Sequence, residues 1–431
     1  MSGQSMAVAV KPTRKRVVLV LILLVTLLVA YLNRVNVSVL MTDPQFLADM
    51  DIVNDPVKKG SLMTVFFFVY GVANIVLGPL GDHFGPRKSM TFAVATWVIA
   101  AILGGLAGSL MVLLGTRALL GIGEGLHWPM QSSYVKNWFP PRERGQANSV
   151  WLVGLMLGPA LAAPLFIQTI QGIGWRNSYY LLALLSFIPV LIIWFWCPDH
   201  PRDDKHVNAL ELDYIETALK EEAAQAKAAL NGAEEGSVAN SMKVLLVNYR
   251  FWLVVIFYAC LASVLVGSLA WLPSYLKDVQ GFTMDQIKYW GSLPYIIAIV
   301  FILFFGWLSD KVGRRAPFLM LSMIGSAVGI YGGAQISDGI TAVIVLSLGI
   351  ASVGIGLPCV WALLQSIVSA KAIATGAGLM NGMSNILGSF APMAMGFFMV
   401  LMGTFTGGLM YMVILSIVGA LCMLVLTIQK Y

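Results

Sequence analysis

Apolar runs of about 20 residues, nearly free of charge and separated by short polar breaks, recur along this chain from Val17 to Ile428, and they fix its solvent as lipid. No water is at hand for the backbone in hydrocarbon, so each run must satisfy its own N–H and C=O groups and is expected to form a helix. Reading the runs against the breaks places spans at 17–40, 59–80, 89–108, 110–136, 145–170 and 176–197, then at 248–276, 284–308, 317–335, 340–368, 374–401 and 404–428. With 58% of its 431 residues hydrophobic and 11% charged, the chain has room for these crossings and for no large domain outside the membrane.

Pro198 to Asn248 interrupts the series with Asp, Glu, Lys and Ala, and reads as a solvated connector holding one amphipathic helix around Leu210 to Leu230. The expected fold class is an all-α polytopic membrane protein, with twelve transmembrane helices in two pseudo-symmetric six-helix bundles. Its divisions are an N-terminal six-helix bundle over 1–197, a cytoplasmic connector over 198–247 and a C-terminal six-helix bundle over 248–431.

The formal charge of +6 does not point to nucleic acid, because the basic residues are scattered over short loops and not interleaved with exposed aromatics. They report orientation instead. With both termini inside, the cytoplasmic segments hold Lys11, Arg14, Lys15, Arg16, Arg87, Lys88, Lys136, Arg142, Arg144, Lys311, Arg314, Arg315, Lys371, Lys430 and the connector's basic residues, against Lys58, Lys59, Arg176, Lys277 and Lys288 outside. Met1 to Arg16 resembles a signal-peptide n-region, but the apolar stretch Val17 to Leu32 is too long and no clear small-residue cleavage site follows, so the first span is expected to be retained. Cys197, Cys260, Cys359 and Cys422 lie within or at the ends of apolar segments without metal-ligand spacing, and read as small hydrophobes. The spans carry no catalytic triad, metal cluster or phosphate loop, so neither an enzyme nor a cofactor or metal is expected.

The two halves repeat one another. Gly78-Pro-Leu-Gly-Asp82-His-Phe-Gly85-Pro-Arg87-Lys88 follows the second span, and Gly306-Trp-Leu-Ser-Asp310-Lys-Val-Gly313-Arg314-Arg315 follows the eighth. In each, a glycine lets helices approach and the acid can accept bonds from a neighbouring helix N-terminus or arginine, so Asp82, Arg87, Asp310 and Arg314 are candidates for a conformational latch. Duplication of this kind suits a carrier whose bundles rock about a midplane site better than a channel.

These paired loops resemble the signature of the major facilitator superfamily. Within it, Tyr31-Leu-Asn33-Arg34-Val-Asn36, Gly121-Ile-Gly-Glu124-Gly-Leu-His127-Trp-Pro129 and Trp138-Phe-Pro-Pro-Arg-Glu-Arg-Gly145 resemble the anion:cation symporter family. That resemblance implies a small organic anion and protons as the transported species in a bacterial inner membrane, with the chain monomeric. It also implies substrate contacts at Tyr70 in the second span, Trp361 in the tenth and Asn381 in the eleventh. Two departures stand out. The family's acid before the first-span arginine is Asn33 here, which cannot ionise; either coupling rests on other residues or an acid has been replaced by engineering. A fifth-span glutamine of sugar-acid carriers is replaced near Leu155.

Charges inside a span are costly and mark function by default, and here they are Arg34, Arg117 and Glu124. Arg34 can fork onto a substrate carboxylate; snorkelling toward the outer surface is the alternative. Glu124, flanked by Gly121, Gly123 and Gly125, can be approached closely by a helix or a wet cleft and can load and release a proton. Arg117, about two turns earlier on roughly the same face, joins the coupling set or forms a structural ion pair with a carboxylate. His127 is a second proton site or a neutral pocket wall, and Gln131 is expected beside it. The expected function is import of a sugar acid or other carboxylate by proton symport; an anion exchanger or uniporter, or a carrier of aromatic carboxylates or organosulfonates, is the alternative.

Overall fold

The structure, a computed structural model, describes residues 12–140, 143–231, 246–367 and 373–430, and the side chains of Asp82 and Asp310 lie outside what it describes. The first six spans are continuous helices: Lys15–Leu40, Pro56–Phe84, Pro86–Gly105, Leu110–Trp138, Arg144–Ile173 and Trp175–Trp196. The seventh, ninth and twelfth, Tyr249–Asp278, Ala316–Gln335 and Phe405–Ile428, are continuous too. Eleven spans meet the length and composition needed to cross a membrane. The 29-residue second helix, with its run Val65 to Tyr70, completes the twelve.

Three spans differ from the unbroken helices expected. The eighth is Met284–Trp290 plus Leu293–Val312, the tenth Gly339–Ala351 plus Val353–Ile367, and the eleventh Ile373–Ser389 plus Ala391–Met402. In the eighth and eleventh, Pro294 and Pro392 sit in the first turn of the second segment, where the missing N–H costs nothing but ends the ladder before it. In the tenth, the ninth span bonds the carbonyls around the break, with Ser322 Oγ donating to Ser352 O at 2.7 Å and Ser326 Oγ to Gly349 O at 3.0 Å. Broken helices survive at membrane depth when neighbours satisfy the backbone in this way.

The repeated loops are built alike. Gly85 and Gly313 both adopt positive φ, +83° and +72°, which ends one helix and lets the next begin. Arg87 Nη2 then donates to the carbonyl of Trp194 near the end of the sixth span, and Arg314 Nη2 to that of Thr427 near the end of the twelfth, 2.8 Å away. Each loop thus pins the last helix of its own bundle.

On the connector face, helix Ala209–Asn231 is strapped to the N-terminal bundle. The buried Glu211 accepts from Thr13 Oγ1 at 2.6 Å, from the backbone N–H of Lys15 and Arg16 at 3.0 and 3.3 Å, and from Arg16 Nη1 at 2.9 Å. It therefore satisfies the first-turn donors of the first span, where a negative charge also suits the helix dipole. Arg16 Nε reaches on to Glu143 Oε2 at 2.9 Å, at the start of the fifth span.

The bundles meet on the opposite, far face. There Lys277 donates to the Thr42 carbonyl, and Ser292 Oγ donates to Ala160 O at 2.5 Å. Ala160 has a carbonyl to offer because Pro164, four residues on, lacks the N–H that would bond it. Gly60 abuts the Pro392 carbonyl so closely that a Cβ would lie 2.5 Å from its oxygen.

Candidate functional site

The fourth span positions Glu124, and small residues set the fit. Cβ atoms built on Gly121 and Gly125 would come within 2.7 Å of Phe66 O and 2.8 Å of Tyr70 O, so the second span lies directly against this stripe. Pro129 frees the carbonyl of Gly125, and Asn74 of the second span donates to it at 3.4 Å. Close backbone packing brings the aromatic residues of the second span beside Glu124.

Arg34 comes from the first span and pairs with Glu124, Nε to Oε2. Both are buried, at 4% and 1% exposure. The guanidinium carbon lies 4.4 Å from the ring centre of Tyr31, 4.7 Å from Tyr70, 5.5 Å from Phe66 and 5.9 Å from Phe67. Ring faces stabilise a desolvated cation. Glu124 Oε1 is buried without a hydrogen-bond partner among the described residues, which makes this the one carboxylate oxygen at the centre of the molecule open to a proton.

Arg117 lies one layer away and does something else. Nη1 donates to Asn33 O at 3.0 Å, Nη2 to Arg34 O at 3.2 Å and Nε to Leu62 O at 3.2 Å, and its carbon sits 4.8 Å from the Phe66 ring. Its donors go to backbone carbonyls of the first and second spans, so it holds the segment that carries Arg34, in place of the carboxylate pairing considered from sequence.

The remaining candidates fall into separate groups. Asn33 turns to the sixth span, donating to Ser186 Oγ at 3.0 Å and to the Val29 carbonyl at 3.0 Å. His127 and Gln131 form a buried cluster, with their Nε2 atoms 3.3 Å apart, Gln131 Nε2 donating to Leu23 O at 3.0 Å and the Trp97 ring 4.8 Å from the imidazole. In the other bundle, half-buried Trp361 meets Tyr258 edge-on at 5.6 Å, and Asn381 accepts from Asn385 Nδ2 through its carbonyl and Oδ1 at 2.8 and 3.1 Å. Arg87 and Arg314 lie on the connector face in the repeated loops. The structure therefore unites Arg34, Glu124 and Tyr70 at one point, with Arg117 behind them.

Tyr31, Phe66 and Phe67 were not singled out from sequence as parts of this site. Tyr31 precedes Arg34 by three residues, which places both on one helix face and was a usable signal. Phe66 and Phe67 come from another helix, and no local pattern reveals that.

The major facilitator superfamily model matches residues 19–392, with a second match over 278–430. A probable sulfoacetate transporter of Cupriavidus necator is 30% identical over 92% of this chain and 90% of its own length. A D-galactonate transporter of Escherichia coli is 26% identical over 97% of both chains. Among solved structures, an inward-facing, occupied bacterial homologue of the human lysosomal transporter Spinster superposes with a TM-score of 0.76 at 16% identity, over 98% of each chain. The D-xylose–proton symporter superposes at 0.72, with 16% identity over 94% of this chain and 96% of its own. With twelve helices in two related bundles and a family model matched along most of its length, the chain belongs to the major facilitator superfamily of membrane transporters and is not an enzyme.

Proposed function

We propose that the chain imports a small organic anion, a sugar acid or other carboxylate, by proton symport, with alternating access between the halves 1–197 and 248–431. In this reading it is a monomer in a bacterial inner membrane, the connector 198–247 and both termini are cytoplasmic, and the far face is periplasmic. The carrying observation is the buried pair of Arg34 and Glu124. In this reading the incoming anion competes with Glu124 for Arg34 and displaces it, and a carboxylate left unpaired in a low-dielectric site takes a proton instead of staying charged. Anion and proton are therefore loaded together. Trp361, Tyr258 and Asn381 would close on the anion from the second bundle, and Tyr70 would hold it from the first. Transporters named for galactonate and sulfoacetate among the relatives support an organic anion as cargo.

Reconstitution in liposomes tests this. Arg34→Ala is expected to lower uptake at least about 100-fold, the loss of one charge-assisted contact at a desolvated site with its partner acid left unpaired. Glu124→Gln is expected to keep anion exchange and lose accumulation driven by a pH gradient. Undiminished pH-driven accumulation in the Glu124→Gln protein would overturn the coupling role. A second reading has specific support: a compact organosulfonate fits an aromatic-walled cation that lacks the fifth-span glutamine, with Leu155 near its place, and competition between sulfoacetate and galactonate for uptake separates the two.

A further inference from the structure

We infer that each cycle carries one proton, on Glu124 alone, so that a monovalent anion crosses the membrane with no net charge. The inference rests on the proposed function above and follows from counting the charges of the site in its two states. Empty, the site holds Arg34 positive and Glu124 negative. Loaded, it holds Arg34 positive, the anion negative and Glu124 neutral. The sum is the same, and Arg117, fixed on three carbonyls, contributes equally to both.

Among the described residues, the other groups facing this site fail as a second proton carrier, each for a stated reason. From the first span, Asn33 is an amide and is turned to Ser186. Tyr31 of the first span, Tyr70 of the second, Tyr179 of the sixth and Tyr258 of the seventh are phenols, which stay neutral throughout a physiological cycle. From the third span, Trp97 offers a donor and no base.

His127 is the serious contender, and its hydrogen bonds hold it neutral. Gln131 Nε2 lies 3.0 Å from the Leu23 carbonyl and 3.3 Å from His127 Nε2. Its two amide hydrogens serve both, which leaves His127 Nε2 as the acceptor. Turning the amide over would set its oxygen against the Leu23 oxygen, and charging the imidazole would set N–H against N–H. A second proton on His127 therefore breaks the cluster, whereas the orphaned Oε1 of Glu124 accepts one once the anion has taken over Arg34.

Two probes decide the matter with the full chain in liposomes: D-galactonate, a monoanion, and sulfoacetate, a dianion at neutral pH. A pH gradient and a potassium–valinomycin potential are imposed separately, and proton and anion fluxes are read together. Expected are one proton per anion for either probe, galactonate uptake indifferent to an interior-negative potential, and sulfoacetate uptake slowed by it. Two protons per anion, or galactonate uptake accelerated by interior-negative potential, overturns the inference and leaves the proposed function standing. Uptake of neither probe, or uptake blind to the pH gradient, overturns the proposed function itself.

Discussion

An arginine survives in hydrocarbon when its donors have partners, and Arg117 meets that condition with three carbonyls from two helices. It is expected to matter for folding more than for anion recognition. Arg117→Met should lower stability by on the order of 3 kcal/mol, since charge-assisted bonds contribute about 1.5–3 kcal/mol each and do not add fully. Thermal unfolding in detergent checks this, and binding of the anion by the folded fraction should persist. Sequence singled out Arg34, Arg117 and Glu124 because charge in an apolar run is conspicuous, but it could not say which arginine would meet the acid. The answer depends on how the first and second spans lie against the fourth, a tertiary fact. The direction of Asn33, toward Ser186 of the sixth span, is tertiary in the same way.

Helices show a similar division between what is local and what is not. Span number and the duplicated loops were readable because apolar length and a repeated glycine spacing are carried by the chain itself. The break at Ser352 was not, because an apolar run looks the same whether or not a neighbouring serine bonds its carbonyls, whereas Pro294 and Pro392 were local signals for the breaks at Ser292 and Phe390. Ser322→Ala tests that account: it removes one of the two donors to the Ser352 carbonyl, leaving the Ile355 N–H at 3.0 Å, and should cost about 0.5–1.5 kcal/mol of stability. At the far face, the short helix Pro44–Asp49 is clamped to the sixth span by Asp49, which accepts from Arg176 Nη1 at 2.6 Å and Trp175 Nε1 at 2.9 Å. Those bonds, first from Arg176 and then from Trp175, hold the Asp49 carboxyl below its usual range. Because the folded value is depressed, the clamp is at full strength above the ordinary carboxylate value near about pH 4 and is lost only as the pH falls through the lowered one. Melting curves at falling pH should show that acid loss in the native chain and not in Asp49→Asn.

For the whole molecule, the strap at Glu211 and the contacts at the far face describe a carrier held together at one end and bound to its connector at the other. Glu211→Gln removes the charge that caps the first span and pairs with Arg16, and should cost on the order of 2 kcal/mol. Limited proteolysis within 209–231 should then be faster, while Arg34 and Glu124 remain paired. Gly60→Leu should do the reverse, sparing the strap and wedging the far face open, because the new side chain has no room beside Pro392. A thiol placed by Thr42→Cys should label faster in that background. Pro164 gives this opening an unusual chemistry. Its ring strips the Ala160 oxygen of its normal helical donor, and the replacement, the Ser292 hydroxyl, stands on the other half of the molecule. When the halves part there, solvent enters between them and can bond to that oxygen in the hydroxyl's stead. Wetting of the fifth helix and release of the gate are then a single event, and a proline far from the cargo makes the exchange nearly even in energy.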